Sequence, residues 1–239
     1  MLSLIESSDS DPSAPKSQTS LAYAQIRADV VAGRLAPGER LKIADLAVSL
    51  GVSPGAIREA LSRLVPEQLV VSRDQRGFVV APISVEDLMD LTDLRCEVES
   101  IALRRSVLRG DSSWEAGILA AAHQLRRTPG RVSETDRSLA PQWVDRHEVF
   151  HTALVSGCGS RRLLALHSQL YQQSERYRGL SAQVESGRDV EAEHQRLVDA
   201  ALDRNVDLLV ELAMSHFRKT TALIVDAARR ESVKITGTA

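Results

Sequence analysis

Aromatic residues are scarce in this sequence: they make up 3% of the 239 residues, whereas leucine, alanine and valine are abundant. Strands are enriched in aromatic side chains, so this composition favours helices packed on helices over a sandwich of sheets. Cysteine is also rare. Cys96 and Cys158 form no CxxC pair and are too few for a disulfide framework, which indicates a reducing cytoplasm as the location.

Other features that are missing narrow the class of protein. No apolar run approaches the roughly 20 residues that a membrane helix needs. The first residues are polar and acidic where a signal peptide is basic and then apolar, so residues 1–19 are predicted to be a disordered tail. The net charge is only −2, so any contact with nucleic acid must come from a local basic patch.

Two domains are expected, because 239 residues exceed the usual size of a single hydrophobic core. The pattern of apolar residues changes near residues 81–84. Residues 20–82 alternate short helical stripes with a strand-like end, residues 83–232 have helical periodicity almost throughout, and residues 233–239 are predicted to be a flexible tail. The predicted fold class is therefore mainly α.

The first domain has the pattern of a winged helix-turn-helix. The helix predicted over residues 43–50 ends at Gly51, and Ser53 suits the N-cap of a helix over residues 56–64. Two helices joined by a tight turn and followed by a two-stranded wing are typical of DNA binding. The wing is predicted from two β-prone runs, over residues 69–72 and 78–81, with a hairpin tip between them.

In such a domain the N-terminal end of the second helix of the pair enters the major groove, while the wing reaches the backbone or the minor groove. Residues 20–82 hold eight Lys or Arg against six Asp or Glu, so the basic patch is modest. The alternative is that these are ordinary surface residues of a helical subdomain that contacts other proteins. The candidate DNA-binding residues are Arg40, Ser53, Gly55, Arg58, Arg63, Arg76 and Gly77.

Four of the six histidines lie on apolar helix faces in the second domain. His147 and His151 are four residues apart, so both rings can reach one ion, while His194 and His216 share faces with apolar residues on two later helices. Neutral imidazole is a common ligand of zinc, nickel and copper. The alternative is that all four are hydrogen-bonded core residues. The other two histidines are assigned to packing or to the surface, His123 and His167.

Residues 37–80 are PGERLKIADLAVSLGVSPGAIREALSRLVPEQLVVSRDQRGFVV, which contains PGxxL, LAxxLGVS and REALxRL motifs and an Arg-Gly pair before a strand. In these motifs the first domain resembles the DNA-binding domain of the GntR family, over about 60 residues. The resemblance implies that Arg58, Arg76 and Gly77 contact DNA. Many members carry an arginine directly after the serine, where this chain has Pro54, so their operator sequence cannot simply be borrowed.

Residues 85–225 contain the segments DLTDLRCEVESIAL, HEVFHTAL, EHQRLVDAALDRNVD and SHF, which resemble the FCD ligand-binding domain of FadR-type GntR regulators. The resemblance implies an antiparallel bundle of six or seven helices around a metal and a carboxylate effector. The usual ligands are an aspartate and three histidines, which correspond to His151, His194 and His216. The aspartate position is His147 here, and Asp145 lies about 120° from His151 around the helix, so it is no substitute.

Two ligand sets are therefore possible for one metal site. Either four histidines bind the ion, or three histidines bind it with His147 nearby. Four neutral ligands leave more positive charge on the ion than three with a carboxylate, which favours an anionic ligand and a divalent metal, zinc or nickel. Residues 158–178 resemble a CsiR-like subgroup, which implies a small mono- or dicarboxylate effector. The candidate effector contacts, for which surface salt bridges are the alternative, are Arg95, Arg176, Tyr177 and Arg178.

A regulator of this kind is expected to bind a double-stranded operator as a homodimer, and its effector is expected to change the placement of the two winged heads through residues 81–84. A metalloenzyme is the first alternative, because three histidines and an open position suit catalytic zinc. Glu148 and Glu193 adjoin candidate ligands, but neighbours in a helix point away from the ligand face, so no general base is evident. A direct metal sensor is the second alternative.

Overall fold

The computed structural model describes residues 17–73, 77–133, 139–181 and 187–230. The first helix begins at Gln18, where the Ser17 side chain accepts a hydrogen bond from the Ser20 amide at 3.1 Å and caps the first turn. The helix therefore includes two positions that the sequence assigned to the tail. Residues 1–16 of that tail and the whole C-terminal tail lie outside the described residues.

The N-terminal domain consists of three helices and a small sheet. Its helices form one apolar core with the inner face of the sheet. In chain order the elements are α1 (Gln18–Val31), β1 (Arg40–Leu41), α2 (Ile43–Leu50), α3 (Pro54–Leu64), β2 (Val70–Arg73) and β3 (Gly77–Val80).

The turn between α2 and α3 follows from three residues. Gly51 has φ +65°, a left-handed conformation that glycine adopts without strain, and it ends α2. Ser53 accepts a hydrogen bond from the Ala56 amide at 3.2 Å, and Pro54 starts α3, where its missing N–H costs nothing. The predicted helix-turn-helix is confirmed, with α3 starting two residues earlier than expected.

The sheet has the order β1-β3-β2, and both pairings are antiparallel. The two predicted strands are confirmed with bounds shifted by one residue. The first strand was not predicted from the sequence, because two residues are too short to show a period. Arg40 pairs with Val79, and Val79 pairs with Val71 on its other side, so these three side chains share the outer face of the wing.

The C-terminal domain is helical, and in its described ranges it contains six α-helices and one 3₁₀ turn, which confirms the predicted bundle. Helix α4 packs against α6, α7 and α9, while α5 packs against α6 and α8. No helix in the described ranges is long and apolar enough to cross a membrane. The helices are α4 (Val85–Arg109), α5 (Ser112–Arg126), α6 (Pro141–Val155), α7 (Arg161–Ser181), α8 (Val190–Leu202) and α9 (Val206–Arg229).

Helix α7 joins the two domains. Gln169, Gln173 and Arg176 lie on one face of it, spaced by four and three residues, and all three donate hydrogen bonds to backbone carbonyls of the N-terminal domain and the linker. The accepting carbonyls belong to Pro66, Glu67, Gln68 and Ala81. The N-terminal domain is thus attached to the bundle by side-chain hydrogen bonds as well as by the peptide chain.

Candidate functional site

Four histidines from three helices converge at the centre of the bundle. His147 and His151 come from α6, His194 from α8 and His216 from α9, and all four are buried. One ring nitrogen of each lies within 4.8 Å of the corresponding atoms of the others. The helical periodicity of the apolar residues predicted this convergence, because it placed each histidine on the inner face of its helix.

The geometry of this histidine cluster fits a metal ion. The Nε2 atoms of His147 and His151 are 3.2 Å apart. Two imidazole nitrogens on one ion, each bonded at about 2.0–2.1 Å, are at most about 4.2 Å apart, so movements below about 1 Å would bring all four to bonding distance. Nε2 of His194 is buried without a hydrogen-bond partner among the described residues. A buried polar atom of this kind is costly unless something binds it.

Neighbouring side chains orient two of the four rings. Nδ1 of His147 is 2.7 Å from the hydroxyl oxygen of Tyr171, and Nδ1 of His216 is 2.9 Å from a carboxylate oxygen of Glu193. When Nδ1–H of His216 donates to the carboxylate, its Nε2 lone pair is available to a metal ion. Carboxylate-to-histidine contacts behind a ligand ring are a common feature of metal sites.

Burial keeps these imidazoles neutral. It lowers the pKa of His147, His151 and His194 well below the ordinary value, and nearby positive groups lower each further. Burial also lowers the pKa of His216, against the opposing influence of Glu193. The neutral ring is the form that binds metals, so the protein presents its ligands ready for an ion.

Glu193 corrects one expectation from the sequence. Its neighbour on α8 is His194, and the sequence predicted that it would point away from the ligands. It instead reaches across to His216 on α9, and Arg188 donates to both of its oxygens, at 2.9 and 2.5 Å. Burial raises the pKa of this carboxyl, but the hydrogen bonds from His216 and Arg188 outweigh it, and the pKa is lowered overall. Glu193 therefore orients a candidate ligand and is not a member of the histidine cluster itself.

Two cavities flank the histidine cluster. The larger, of about 400 Å³, lies between α5, α6, α8 and α9 and includes the side chains of Trp143 and Phe150 in its wall. The smaller, of about 40 Å³, lies between α4, α7 and α9. His147, His216 and Arg178 line both. Only the larger cavity falls within the size range of ordinary small-molecule sites.

Arg95, which the sequence predicts as an effector contact, lines the smaller cavity. It is buried, its Nε donates to Glu99 at 3.3 Å, and its guanidinium lies 4.0 Å from the ring centroid of Phe217. Glu99 also contacts Nδ1 of His167 at 2.8 Å. The protein thus buries the Arg95 charge among a carboxylate and aromatic rings beside the histidines.

The three other candidate effector residues separate along α7. Arg178 lies at the histidine cluster, where it donates to Glu175 at 2.6 Å and stacks 4.9 Å from the ring of Trp143. Arg176 belongs to the domain interface. The ring of Tyr177 reaches the small cavity, but its hydroxyl bonds Asp87 and the Ser84 amide at the linker. Burial and the Asp87 contact raise the pKa of Tyr177.

The remaining histidines and the acid near the site have simple placements. His167 is buried and packs against Glu99 and Thr152, whereas His123 is exposed on α5. Asp145 is exposed, away from the cluster. Residues that the sequence gave no reason to select also surround the cluster, above all Tyr171, Arg188 and Trp143, which stacks on His147 with centroids 4.6 Å apart.

The candidate DNA-binding surface is the outer side of α3. Gly55 and Arg58 are exposed there, and Ser53 is occupied by its capping hydrogen bond. Arg63 lies elsewhere on α3: its guanidinium stacks 4.5 Å from the ring centroid of Tyr23 on α1. Both arginines are exposed, but only Arg63 makes this contact with α1.

The wing carries two exposed arginines. Arg40 is on β1, and Arg73 ends β2 opposite Gly77, which has φ +79°. The sequence did not select Arg73. Arg76 lies outside the described residues.

Several other basic residues of this domain are paired with acids of the same domain. The pairs are Arg27–Glu67 at 3.2 Å, Arg34–Asp29 at 2.6 Å and Lys42–Asp45 at 3.6 Å. Within the described ranges no acid pairs with Arg40, Arg58 or Arg73. The free positive charge of the domain is therefore concentrated on α3 and the wing.

A winged helix-turn-helix joined to a helical bundle with a buried histidine cluster defines a class of protein: two-domain transcription regulators that bind DNA. Two family models match accordingly. The model described as "Bacterial regulatory proteins, gntR family" matches residues 18–80, and the FCD domain model matches residues 90–219. The chain belongs to the GntR family, in the FadR-type branch that carries an FCD domain, as the sequence motifs predicted.

Curated relatives agree with this assignment. The chain is 41% identical over 203 residues to the "Uncharacterized HTH-type transcriptional regulator BphR" of Paraburkholderia xenovorans, covering 84% of this chain and 83% of the relative. It is 34% identical over 210 residues to the "HTH-type transcriptional repressor GlaR" of Escherichia coli, covering 86% and 94%. These relatives are named as regulators and not as enzymes, which decides against the metalloenzyme alternative.

Solved structures share the fold. "E. coli McbR/YncC" has a TM-score of 0.72 at 18% identity, covering 89% of this chain and 99% of that one. A putative GntR regulator from Rhodococcus sp. RHA1 has a TM-score of 0.69 at 22% identity, covering 89% and 99%. At these identities the likeness concerns the fold alone.

Proposed function

We propose that this GntR-family regulator represses transcription from its operator and is released by a small carboxylate effector that binds beside a divalent metal. The metal ligands are His147, His151, His194 and His216. The observation that carries the proposal is the convergence of four buried, neutral imidazoles next to a cavity of about 400 Å³. A bound ion supplies a positive charge with open coordination positions for an anion.

Zinc or nickel is the proposed metal, because the donors are all imidazole nitrogens and such ligands suit these ions. The position that is an aspartate in the resembling domain is His147 here, and the ring lies in the cluster. All four ligands are then neutral, so the site keeps the full charge of the ion. This supports an anionic effector, in line with the mono- or dicarboxylate that the CsiR-like segment implies.

Operator binding is proposed to use Arg58 at the exposed side of α3 together with the wing residues Arg40, Arg76 and Gly77. Arg73 joins this set because it is exposed and unpaired in the described part of the chain. A symmetric homodimer would present two such heads to two half-sites, and a protein of this kind acts in the cytoplasm, where the chromosome lies. Repression is proposed because GlaR is named a repressor.

The test of the metal site is the metal content and zinc affinity of three proteins: the unchanged chain, His194→Ala and His123→Ala. We expect one ion per chain in the unchanged protein and in His123→Ala, since His123 is exposed and does not belong to the cluster. His194→Ala removes a ligand, so zinc affinity should fall by at least about tenfold. Equal zinc affinity in all three proteins would show that the cluster is a packed core and not a metal site.

The effector is tested by thermal denaturation of the zinc-loaded protein with a panel of carboxylates. A ligand at 100 times its dissociation constant stabilises the folded state by about 2.7 kcal/mol, so one matching acid should stand out. The same acid should weaken binding to genomic DNA fragments that the protein selects. A flat panel together with DNA affinity that follows free metal would support the direct metal sensor and overturn the carboxylate effector.

A further inference from the structure

The larger cavity has two positive regions. One is the histidine cluster at its inner end, formed by His147, His194 and His216. The other is formed by Arg126 at the end of α5 and Arg131 in the loop that follows, both of which line the cavity and are exposed to solvent. The sequence motifs draw attention to neither arginine.

Arg126 and Arg131 differ from the other arginines around this cavity. Arg178 pairs with Glu175, and Arg188 pairs with Glu193, so the charges of these inner arginines are largely neutralised within the protein. No carboxylate in the described ranges lies within ion-pair distance of Arg126 or Arg131. Glu191 also lines the cavity but makes no ion pair with either. The two arginines are therefore available to an anionic group that enters from solvent.

The wall of the cavity also has an apolar part, beside polar side chains such as Gln195 and Thr220. The apolar part includes Leu125, Trp143, Phe150, Val198 and Leu223. Hydrocarbon is favoured against such a surface, because the contact removes apolar groups from water. The cavity thus offers a buried site for an anion at the histidines, an exposed site at the two arginines, and apolar surface in the same wall.

We propose that the effector is an elongated dianion with an apolar middle, and that Arg126 and Arg131 bind its outer carboxylate while the inner one faces the metal at the histidine cluster. This rests on the proposed function, because it needs the metal-loaded site. The second subsite makes two charges, a minimum length and an apolar spacer the basis of selectivity. It also places the effector in the cavity that Arg95 does not line, since the cavity that Arg95 lines, of about 40 Å³, is too small for such a molecule.

The experiment measures binding of two series of acids to the zinc-loaded full chain by calorimetry. One series is linear α,ω-dicarboxylates of four to eight carbons, and the other is monocarboxylates of the same lengths. We expect one length of dicarboxylate to bind about tenfold or more tightly than the monocarboxylate of equal length, since the second carboxylate gains charged hydrogen bonds.

The Arg126→Gln/Arg131→Gln variant should bind that dicarboxylate only as well as its monocarboxylate and should lose no affinity for the monocarboxylate. The matched control is Arg127→Gln, which removes an exposed arginine that does not line the cavity. It should keep the preference. Because the two arginines are exposed, the preference should also shrink at high salt.

The outcomes separate the two proposals. If no acid of either series binds the zinc-loaded protein, the carboxylate effector of the proposed function fails and this inference fails with it. If both series bind alike, or if the dicarboxylate preference survives in the double variant, the second subsite is overturned while the proposed function stands.

Discussion

Arg58 and Arg63 lie five residues apart on α3 and have different surroundings. Arg58 is exposed without an ion pair in the described part of the chain, whereas Arg63 stacks on Tyr23. Five residues correspond to about 140° around a helix, which is enough to turn one side chain outward and the other towards α1. The two arginines therefore form a matched pair for testing the proposed DNA contact of Arg58, with Arg63 as the one that contacts Tyr23.

We predict that Arg58→Gln lowers affinity for a selected operator by about 1–3 kcal/mol if Arg58 contacts a base. If Arg58 contacts a phosphate, the variant should instead reduce by about one the slope of the logarithm of the binding constant against the logarithm of the salt concentration. Arg63→Gln should leave operator affinity within about threefold and lower the free energy of unfolding by about 0.5–1 kcal/mol through the lost contact with Tyr23. Fluorescence anisotropy over a range of salt and chemical denaturation measure the two effects. Equal loss of operator affinity in both variants would contradict this division.

In the proposed metal site, the residue at position 147 determines whether the ligands are all neutral. We predict that His147→Asp keeps zinc bound, because a carboxylate is also a zinc ligand, but lowers affinity for an anionic effector by about tenfold, because the site loses one unit of positive charge. Calorimetry of zinc and then of the best carboxylate checks both steps. His147→Ala is the control: it should weaken zinc binding without adding negative charge. Unchanged effector affinity in His147→Asp would place the effector away from the ion.

The residues of the site differ in how far the sequence reveals them. His147, His151, His194 and His216 were predictable because apolar periodicity places each on an inner helix face. Glu193 was not, because a pattern within α8 cannot show that a side chain reaches α9.

Arg176 and Arg178 were grouped together because both are candidate cations for an anion. Two residues along a helix are about 200° apart, so the structure directs one to the linker and the other to the cluster. Helical periodicity gives the angle between such positions around the helix, but it does not show which part of the protein packs against each face.

At the scale of elements, α7 has two working faces. Gln169, Gln173 and Arg176 bond the N-terminal domain, while Tyr171 and Arg178 lie at the histidine cluster. A helix is about 10 Å across, so both sets of contacts belong to one rigid body. Movement of α7 at the cavity must then alter the contacts on its other side.

We predict that Gln173→Ala/Arg176→Ala separates thermal unfolding into two transitions, because it removes side-chain hydrogen bonds that join the domains, each worth about 1–3 kcal/mol. Scanning calorimetry of the unchanged protein should give a single transition. The control is Arg162→Ala, because Arg162 is exposed at the start of α7; this variant should also give a single transition. A single unshifted transition in the double variant would show that the linker alone couples the domains.

At the scale of the whole molecule, the histidine cluster makes stability depend on pH. In the metal-free protein burial lowers the pKa of all four histidines, while in the unfolded chain they titrate near the ordinary value of about 6.5. Below that value the unfolded chain binds more protons than the folded protein. The free energy of unfolding must therefore fall as the pH drops below about 6.5.

We predict a slope of about 1.4 kcal/mol per pH unit for each histidine that stays neutral in the folded protein. Urea denaturation of chelator-treated protein between pH 7.5 and 5.5 measures it. His151→Gln should reduce the slope, whereas His123→Gln should not, since His123 is exposed. Saturating zinc should raise stability at each pH and require more metal as the pH falls, because protons compete for the same nitrogens. A flat metal-free profile would contradict the buried neutral state.

The fold of the molecule was largely predictable, because long apolar stripes identify helices and the motifs in residues 37–80 identify the winged domain. The strand Arg40–Leu41 was missed, since it forms only by pairing with β3, a contact between residues distant in the sequence. The docking of α7 on the N-terminal domain was missed for the same reason. Contacts between elements are decided by packing, which a pattern within one segment does not contain.

The internal ion pairs of the N-terminal domain have a consequence for how the regulator finds its target on a chromosome. Affinity for arbitrary DNA grows with the number of phosphates that a protein neutralises. Arg27, Arg34 and Lys42 are already paired with acids of their own domain, so each head offers few cations to the backbone. We therefore expect such a protein to dissociate readily from arbitrary sequence and to search mainly through free solution, with little one-dimensional travel along the duplex.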